Sequence, residues 1–215
     1  MPEPLFSIKH EDGRDMSNEL NGFARTIGLE RVAPGRYSIL LVLSLFGGVA
    51  SGRMNPAVVV QEMEALEGLR TSRFKKPIQN KHPPLRGLWH KHFYDAGLKS
   101  LGMNVKKGLD AFKIPLFLQH MKEAKEAGIE RYVTLEDVDA LATDMVQGNL
   151  ARLAERQAIS GEWLMFAEHE GRRYYLCLAT HDSSQHGGVR TQIDEICCKE
   201  FPFLKTILNE QETRP

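Results

Sequence analysis

The chain has 215 residues, of which 42% are hydrophobic and 26% charged, so it can bury enough apolar surface to fold and is not a disordered protein. Its 28 basic and 28 acidic residues cancel, which excludes a protein that is basic or acidic throughout. The length favours one domain, expected over residues 19–215. It follows a flexible arm over residues 1–18, which is polar and contains two prolines.

Membrane insertion and export are not expected from the sequence. The most apolar run, residues 38–50, is uncharged but well short of the roughly 20 residues that cross a bilayer. Charged residues lie within the first fifteen positions, where a secretion signal needs its apolar stretch. We therefore expect a cytoplasmic protein without a membrane partner.

The N-terminal part, residues 19–69, is predicted to be helical. Residues 38–50 indicate a buried helix, and a second helix is expected to begin at Asn55 and Pro56, a capping residue followed by proline in the first turn. That start places Val59, Met63 and Leu66 on one face. We expect the two helices to pack together.

Residues 70–215 are expected to hold a basic segment, helices, a β-hairpin and a last helix. Prolines at 77, 83 and 84 predict an extended connector over 70–84, with regular structure resuming near Leu85. A helix is predicted over 116–127, and Thr134 with Asp137 forms a capping-box start to another. An apolar face is expected on that next helix, formed by Val138, Leu141, Ala142 and Met145.

After Gly161 the pattern changes from helical to extended. Residues 162–168 and 173–181 are rich in aromatic and apolar residues, and Glu170-Gly171 between them indicates a tight hairpin. The last helix carries an apolar stripe that includes Cys197. The cysteines give neither a disulfide framework nor a metal-binding spacing, so we expect all three in the core: Cys177, Cys197 and Cys198. The predicted fold class is α+β, mainly helical with a small antiparallel sheet in the C-terminal half.

Positive charge is concentrated in one segment, residues 68–109. Between Gly68 and Gly108 ten basic residues face a single acid, Asp95, a net charge of +9 that the rest of the chain balances. A field of this kind attracts polyanions, so RNA or another polyanion is the expected partner. Ion pairs with neighbouring acids are the alternative reading of these charges.

Histidines within this segment suggest acid–base chemistry. In a strand His90 and His92 would share a face with Lys91 opposite, whereas in a helix they would diverge. A shared face would suit a general acid and base, two metal ligands, or a pair with no role in chemistry. His186, beside Gly187 and Gly188, fits a polar connector better than a loop over a site.

Two short motifs resemble those of a toxin family. The stretch PPLRGLW at residues 83–89 resembles the L-(K/R)-G-x-(W/Y) motif of RelE-like ribonuclease toxins. The sequence LATHD at residues 178–182 resembles the last strand of their HigB-type relatives, which commonly closes on Thr-His. The resemblance implies a small sheet backed by helices that binds messenger RNA and promotes attack by the RNA's own 2′-hydroxyl without metal. It also implies that Arg86 contacts phosphate and that His181 lies at the sheet edge.

The leading hypothesis is an RNA-binding and RNA-cleaving protein of the toxin or defence type, without metal or other cofactor. The proposed catalytic residues are His90, His92, His181, Lys91 and Arg86. The proposed RNA-binding residues are Arg73, Lys75, Lys76, Lys81, His82 and Trp89. The hypothesis requires His181 to share a cleft with His90 or His92, with Arg86 or Lys91 on its wall.

The sequence is also consistent with two alternative functions and with a protein partner. One alternative is a non-catalytic module that binds nucleic acid or protein through residues 68–109. The other is a metal-dependent hydrolase using His90 and His92. The toxin hypothesis leaves room for a neutralising protein partner of the antitoxin kind.

Overall fold

The structure, a computed structural model, describes residues 6–9, 12–72, 74–94, 98–130, 132–156 and 161–212. The chain separates into two compact units, one formed by residues 1–95 with 161–215 and the other by residues 96–160. The expectation of one domain over 19–215 did not anticipate this division. The fold class is confirmed: the chain is mainly helical α+β with a small four-stranded antiparallel sheet in the part that the structure describes.

Four helices form one layer of the first unit. They are α1 (Ser17–Thr26), α2 (Leu29–Val32), α3 (Ile39–Ala50) and α4 (Pro56–Leu66). The predicted α4 start is confirmed, because the Asn55 side chain accepts a hydrogen bond from the Ala57 backbone and Pro56 opens the first turn. Buried side chains from all four helices join Phe93, Leu164 and Phe166 in one apolar cluster.

The sheet has the order β1-β2-β3-β4, with β1 at Ile78–Gln79, β2 at Trp89–Phe93, β3 at Glu162–His169 and β4 at Arg172–Ala179. The predicted hairpin is confirmed: Glu170 and Gly171 have φ values of 50° and 72°, as a type I′ turn requires. The basic segment supplies β1 and β2, so the predicted connector over 70–84 contains a short strand.

The other face of the sheet is covered by the C-terminal helices. These are α9 (His186–Gln192), α10 (Cys198–Glu200) and α11 (Leu204–Glu212), with a π-helical turn at Ile193–Cys197. A second apolar cluster forms here and contains Met165, Ile193 and Leu204. All three cysteines are buried, as predicted. The sheet of the first unit therefore lies between two helical layers.

The described part of the N-terminal arm is attached to the first unit. The Ile8 backbone donates to Ser17 Oγ over 2.8 Å, and its carbonyl accepts from the Met16 backbone over 2.9 Å. Phe6 and Ile8 pack against the apolar cluster of α1–α4. Within the described residues, backbone hydrogen bonds and apolar contacts thus hold part of the arm that is expected to be flexible over 1–18.

The second unit contains α5 (Leu98–Phe112), α6 (Pro115–Ala127), α7 (Leu135–Thr143) and α8 (Asn149–Glu155). The capping box of Thr134 and Asp137 is present at the start of α7. The apolar stripe predicted on α7 is not buried, since Val138 is 53% exposed and α7 has no buried residue. Across the described residues, we find no helix with the length and apolar character of a membrane span.

Just before β3, the backbone of β2 approaches Gly161 too closely to leave room for a side chain. A Cβ atom at Gly161 would lie 2.8 Å from the carbonyl carbon of Phe93 and still closer to its oxygen. We expect Gly161→Ala to lower the free energy of unfolding by about 1–3 kcal/mol, since β2 and β3 would have to separate. Urea denaturation measures the change. Gly22→Ala is the matched control, because its Cβ meets no atom within 4 Å. Equal stabilities of the two variants would contradict this account.

Candidate functional site

The strand β2 directs its side chains alternately to the two faces of the sheet. His90 and His92 lie on the face covered by the C-terminal helices, and Lys91 lies on the opposite face. The rings of the two histidines are 5.3 Å apart between centroids. The predicted shared face of His90 and His92 is therefore present.

A tryptophan of the neighbouring strand joins these two histidines. Trp163, at the start of β3, is paired with His92 in the β2–β3 register. Its ring stacks on His90 at 4.0 Å and meets His92 edge-on at 6.2 Å. Trp163 thus forms the centre of an aromatic group at this end of the sheet.

Two further histidines reach the same group from the segment after β4. His181 stacks on His92 at 5.0 Å, and its ring is 4.9 Å from that of Trp163. His186, the first residue of α9, lies 5.2 Å from Trp163. The predicted juxtaposition of His181 with His92 is present, although 89 positions separate the two residues. We call these five residues the histidine–tryptophan cluster: His90, His92, Trp163, His181 and His186.

Hydrogen bonds fix which ring nitrogen of His90 carries the proton. The Asn80 side-chain nitrogen donates to the Leu88 carbonyl over 3.0 Å, so its oxygen faces His90 Nδ1, also at 3.0 Å. His90 Nδ1 is therefore the donor nitrogen. Asn80 lies directly after β1, so the basic segment itself supplies the residue that orients the His90 ring.

The other two hydrogen bonds of the cluster show that Nε2 is unprotonated in His181 and protonated in His186. The Trp163 indole can only donate, so His181 Nε2, at 3.2 Å, accepts and is unprotonated. His186 Nε2 lies 2.9 Å from the Thr180 carbonyl oxygen, which can only accept, so this nitrogen carries the proton. His186 Nδ1 is then the basic nitrogen, and protonating it would leave the bond to Thr180 intact. Protonating His181 Nε2 would break its bond to Trp163.

Burial divides the cluster into an inner and an outer pair. His90 and His92 are only 6% and 7% exposed, whereas His186 is half-buried and His181 is exposed. Burial, together with the charge of neighbouring histidines, lowers the pKa of both His90 and His92 to about 4. The positive charge of Lys75 adds to the lowering of the pKa of His92. The inner pair is therefore neutral at physiological pH and shapes the site, while the outer pair faces solvent.

The position of Lys91 corrects its predicted catalytic role. Its ammonium is 3.3 Å from Glu62 Oε2 on α4 and donates to Ser72 Oγ over 2.9 Å. The side chain is 3% exposed, and burial lowers its pKa despite the nearby carboxylate. Lys91 therefore lies on the face of the sheet opposite to the histidines and does not join them. Its role is structural: it closes a buried ion pair between sheet and helix.

Trp89 also lies on the opposite face from the histidines. Its ring stacks on Phe166 at 6.2 Å and packs against the apolar cluster of α1–α4. The predicted RNA-binding role of Trp89 is therefore corrected, because its ring packs against the core. Arg86 is half-buried in the loop before β2, which Arg190 holds by a 2.9 Å bond to the Pro84 carbonyl. Phosphate contact by Arg86 stays a prediction.

The remaining predicted RNA contacts lie along the connector before β2. Lys75, Lys76, Lys81 and His82 are exposed, so their charges can reach a polyanion, and their binding roles stay predictions. Arg73 lies outside the described residues. Among the residues that the structure does describe, no three His, Cys, Asp or Glu side chains are placed to hold one metal ion.

The sequence analysis did not identify Trp163, and it interpreted His186 as part of a polar connector. The signal available for Trp163 was its place in a strand predicted to lie beside the strand that ends at His181. For His186 the only signal was its closeness in sequence to His181. Comparison with known proteins adds no assignment, because no family model, curated protein or solved structure matches this chain.

Proposed function

We propose that this protein binds RNA and cleaves it at the histidine–tryptophan cluster through the RNA's own 2′-hydroxyl, with no metal needed for the step. One observation carries the proposal: the Thr180 carbonyl fixes His186 with Nδ1 as its basic nitrogen, beside Trp163 and three further histidines. A backbone carbonyl that holds one imidazole nitrogen in this way leaves the other nitrogen able to accept a proton, as a general base must.

In the proposed step His186 Nδ1 takes the proton of the 2′-hydroxyl. The 2′-oxygen forms a bond to phosphorus, the bond from phosphorus to the 5′-oxygen breaks, and the leaving oxygen takes a proton from water. The products are a 2′,3′-cyclic phosphate and a 5′-hydroxyl end, and His186 returns its proton to solvent. Lys75, an exposed lysine in the connector before β1, is the cation proposed to stabilise the charge that develops on the phosphate oxygens.

The exposed lysines of the basic connector favour a polyanionic substrate such as RNA. Three exposed lysines at 75, 76 and 81 flank β1, the edge strand of the sheet. Exposed lysines along an edge suit contacts to successive phosphates, and such contacts weaken with salt. The toxin or defence role follows only from the motif resemblance at residues 83–89 and 178–182, and we retain it, together with the cytoplasmic location expected from the sequence, as part of the proposal.

A second candidate function is RNA binding without cleavage. The observation that favours it is the burial of His90 and His92, which lowers the pKa of both imidazoles and suits a folded sheet as well as it suits catalysis. The two candidates share the lysines and differ only in the role of the outer histidines.

The test compares RNA cleavage by His186→Gln and His181→Gln with that of the unchanged protein. The substrate is a fluorescently labelled single-stranded RNA containing all four nucleotides, incubated with a metal chelator. We expect His186→Gln to slow cleavage at least about 100-fold, since general base catalysis contributes about 10²- to 10⁴-fold. We expect a smaller loss for His181→Gln, because this side chain accepts the Trp163 hydrogen bond and is not the proposed base.

The matched control is His169→Gln, a histidine at the other end of β3 that stacks on Phe203 at 4.0 Å. It should cleave at the parent rate. Cleavage by His186→Gln at the parent rate would overturn the catalytic proposal. Salt-sensitive RNA binding by the unchanged protein without any cleavage would overturn it in favour of the second candidate.

A further inference from the structure

A cleft of about 450 Å³ lies between α3 and the ends of three strands of the sheet. Its walls include Leu43, Gly47, Met54 and Leu178. The polar side chains at its border include Arg53, which is exposed, and Glu162. All of these residues belong to the first unit. The cleft is thus mainly apolar with one group of each charge, as is typical of sites for small molecules.

This cleft adjoins the histidine–tryptophan cluster through three pairs of neighbouring residues. Phe93, Glu162 and Thr180 line the cleft, and the residue beside each of them in sequence belongs to the cluster. Thr180 makes the closest link, because its carbonyl oxygen also holds His186. The two sites therefore lie at the same end of the sheet, the cleft toward α3 and the cluster toward the C-terminal helices.

A ligand that spans both sites needs two parts of different character. The part at the outer histidines and Lys75 should be anionic, and the part in the cleft should be flat and apolar with hydrogen-bonding groups at its edge. A nucleotide of single-stranded RNA has this composition, because an unstacked base presents two apolar faces and a polar edge. Arg53 and Glu162 offer a donor and an acceptor for that edge.

We propose that the cleft is a nucleobase-binding site for the nucleotide adjoining the phosphate at the histidine–tryptophan cluster. The placement of that phosphate rests on the proposed function, whereas binding of the base depends on the cleft alone. The site assigns Leu43, Met54 and Leu178 to the faces of the base and Arg53 and Glu162 to its edge.

One glycine keeps the cleft open. A Cβ atom at Gly47 would meet no atom within 4 Å, so a larger side chain there fits the helix and projects into the cleft. The next residue differs, because a Cβ at Gly48 would lie 2.9 Å from Met54 Cβ. Gly47→Leu therefore fills the cleft without disturbing the packing of α3. Gly22→Leu is the matched control, since Gly22 also lies in a helix with open space around its Cβ.

The experiment measures binding of the four ribonucleoside 3′-monophosphates by backbone amide NMR shifts of the full-length protein. We expect at least one of them to bind the unchanged protein and Gly22→Leu, and to bind Gly47→Leu at least about tenfold more weakly. His169→Gln should keep this binding, because His169 lies at the other end of β3. RNA cleavage, measured in parallel, should show a raised KM for Gly47→Leu.

The outcomes separate this proposal from the proposed function. Nucleotide binding that Gly47→Leu abolishes supports the base site even if no variant cleaves RNA. Binding of none of the four nucleotides at millimolar concentration would overturn it, as would equal binding by Gly47→Leu and the unchanged protein. Cleavage by Gly47→Leu with unaltered KM would also overturn the base site while leaving the catalytic proposal intact.

Discussion

Replacing Lys91 with methionine is expected to lower the free energy of unfolding by about 3–5 kcal/mol. The substitution removes the cation from a buried ion pair and leaves the Glu62 carboxylate, on a side chain only 7% exposed, without its charge partner. The Glu62 carboxylate would keep the hydrogen bond that Ser72 Oγ donates over 2.6 Å, but this donor carries no charge. Urea denaturation at pH 7 measures the loss.

The control is the double variant Lys91→Met with Glu62→Met. Removing both charges leaves two apolar side chains of similar length between β2 and α4, so most of the lost stability should return. The double variant should also cleave RNA, because neither residue belongs to the histidine–tryptophan cluster. A folded, fully stable Lys91→Met variant that fails to cleave RNA would contradict the structural role assigned to this lysine.

Lowering the pH from about 6.5 to about 4 is expected to destabilise the protein through His90 and His92. Burial holds the pKa of each at about 4 in the folded state, below the ordinary value of 6.5 that each regains on unfolding. Above pH 6.5 both states carry neutral imidazoles. Between pH 6.5 and 4 the unfolded state binds protons that the folded state excludes, so the free energy of unfolding falls by as much as about 3 kcal/mol per histidine.

The comparison with His92→Gln isolates this effect from the titration of carboxylates. Urea denaturation at several pH values between 4 and 8 should show a steeper decline for the unchanged protein than for His92→Gln. The difference in stability between the two should change mainly within this window and level off above pH 7. A difference independent of pH would show that His92 is not held neutral by the fold.

Local signals in the sequence predicted much of the fold. Asn55-Pro56, the pair Thr134 and Asp137, and Glu170-Gly171 each set a helix start or a turn through groups a few residues apart. Helix α1 falls mostly within the part predicted to be helical, but its bounds were not predicted, because polar residues interrupt its apolar pattern. One of them, Asn21, uses its side chain to hold Phe6 and Ser17, a role that depends on tertiary contacts.

The candidate site could be predicted only in part. The alternation of a strand places His90 and His92 together whatever lies around them, and the motif at residues 178–182 brought His181 into consideration. Lys91 was misjudged because a lysine between two histidines is expected to be exposed, and its partner Glu62 lies on a helix 29 positions earlier. The tautomer of His186 depends on the Thr180 carbonyl, whose direction is a property of the folded backbone.

The chemistry of the RNA ends tests the central claim most directly. RNA incubated with the purified protein and a metal chelator should give fragments ending in 2′,3′-cyclic phosphate and 5′-hydroxyl. An RNA with a 2′-O-methyl group at a cleavage position should resist cutting there, and His186→Gln prepared in the same way should form these fragments at least about 100-fold more slowly. Fragments with 5′-phosphate ends, or cutting next to the 2′-O-methyl group, would contradict the account, because neither can arise from attack by the 2′-hydroxyl at the histidine–tryptophan cluster.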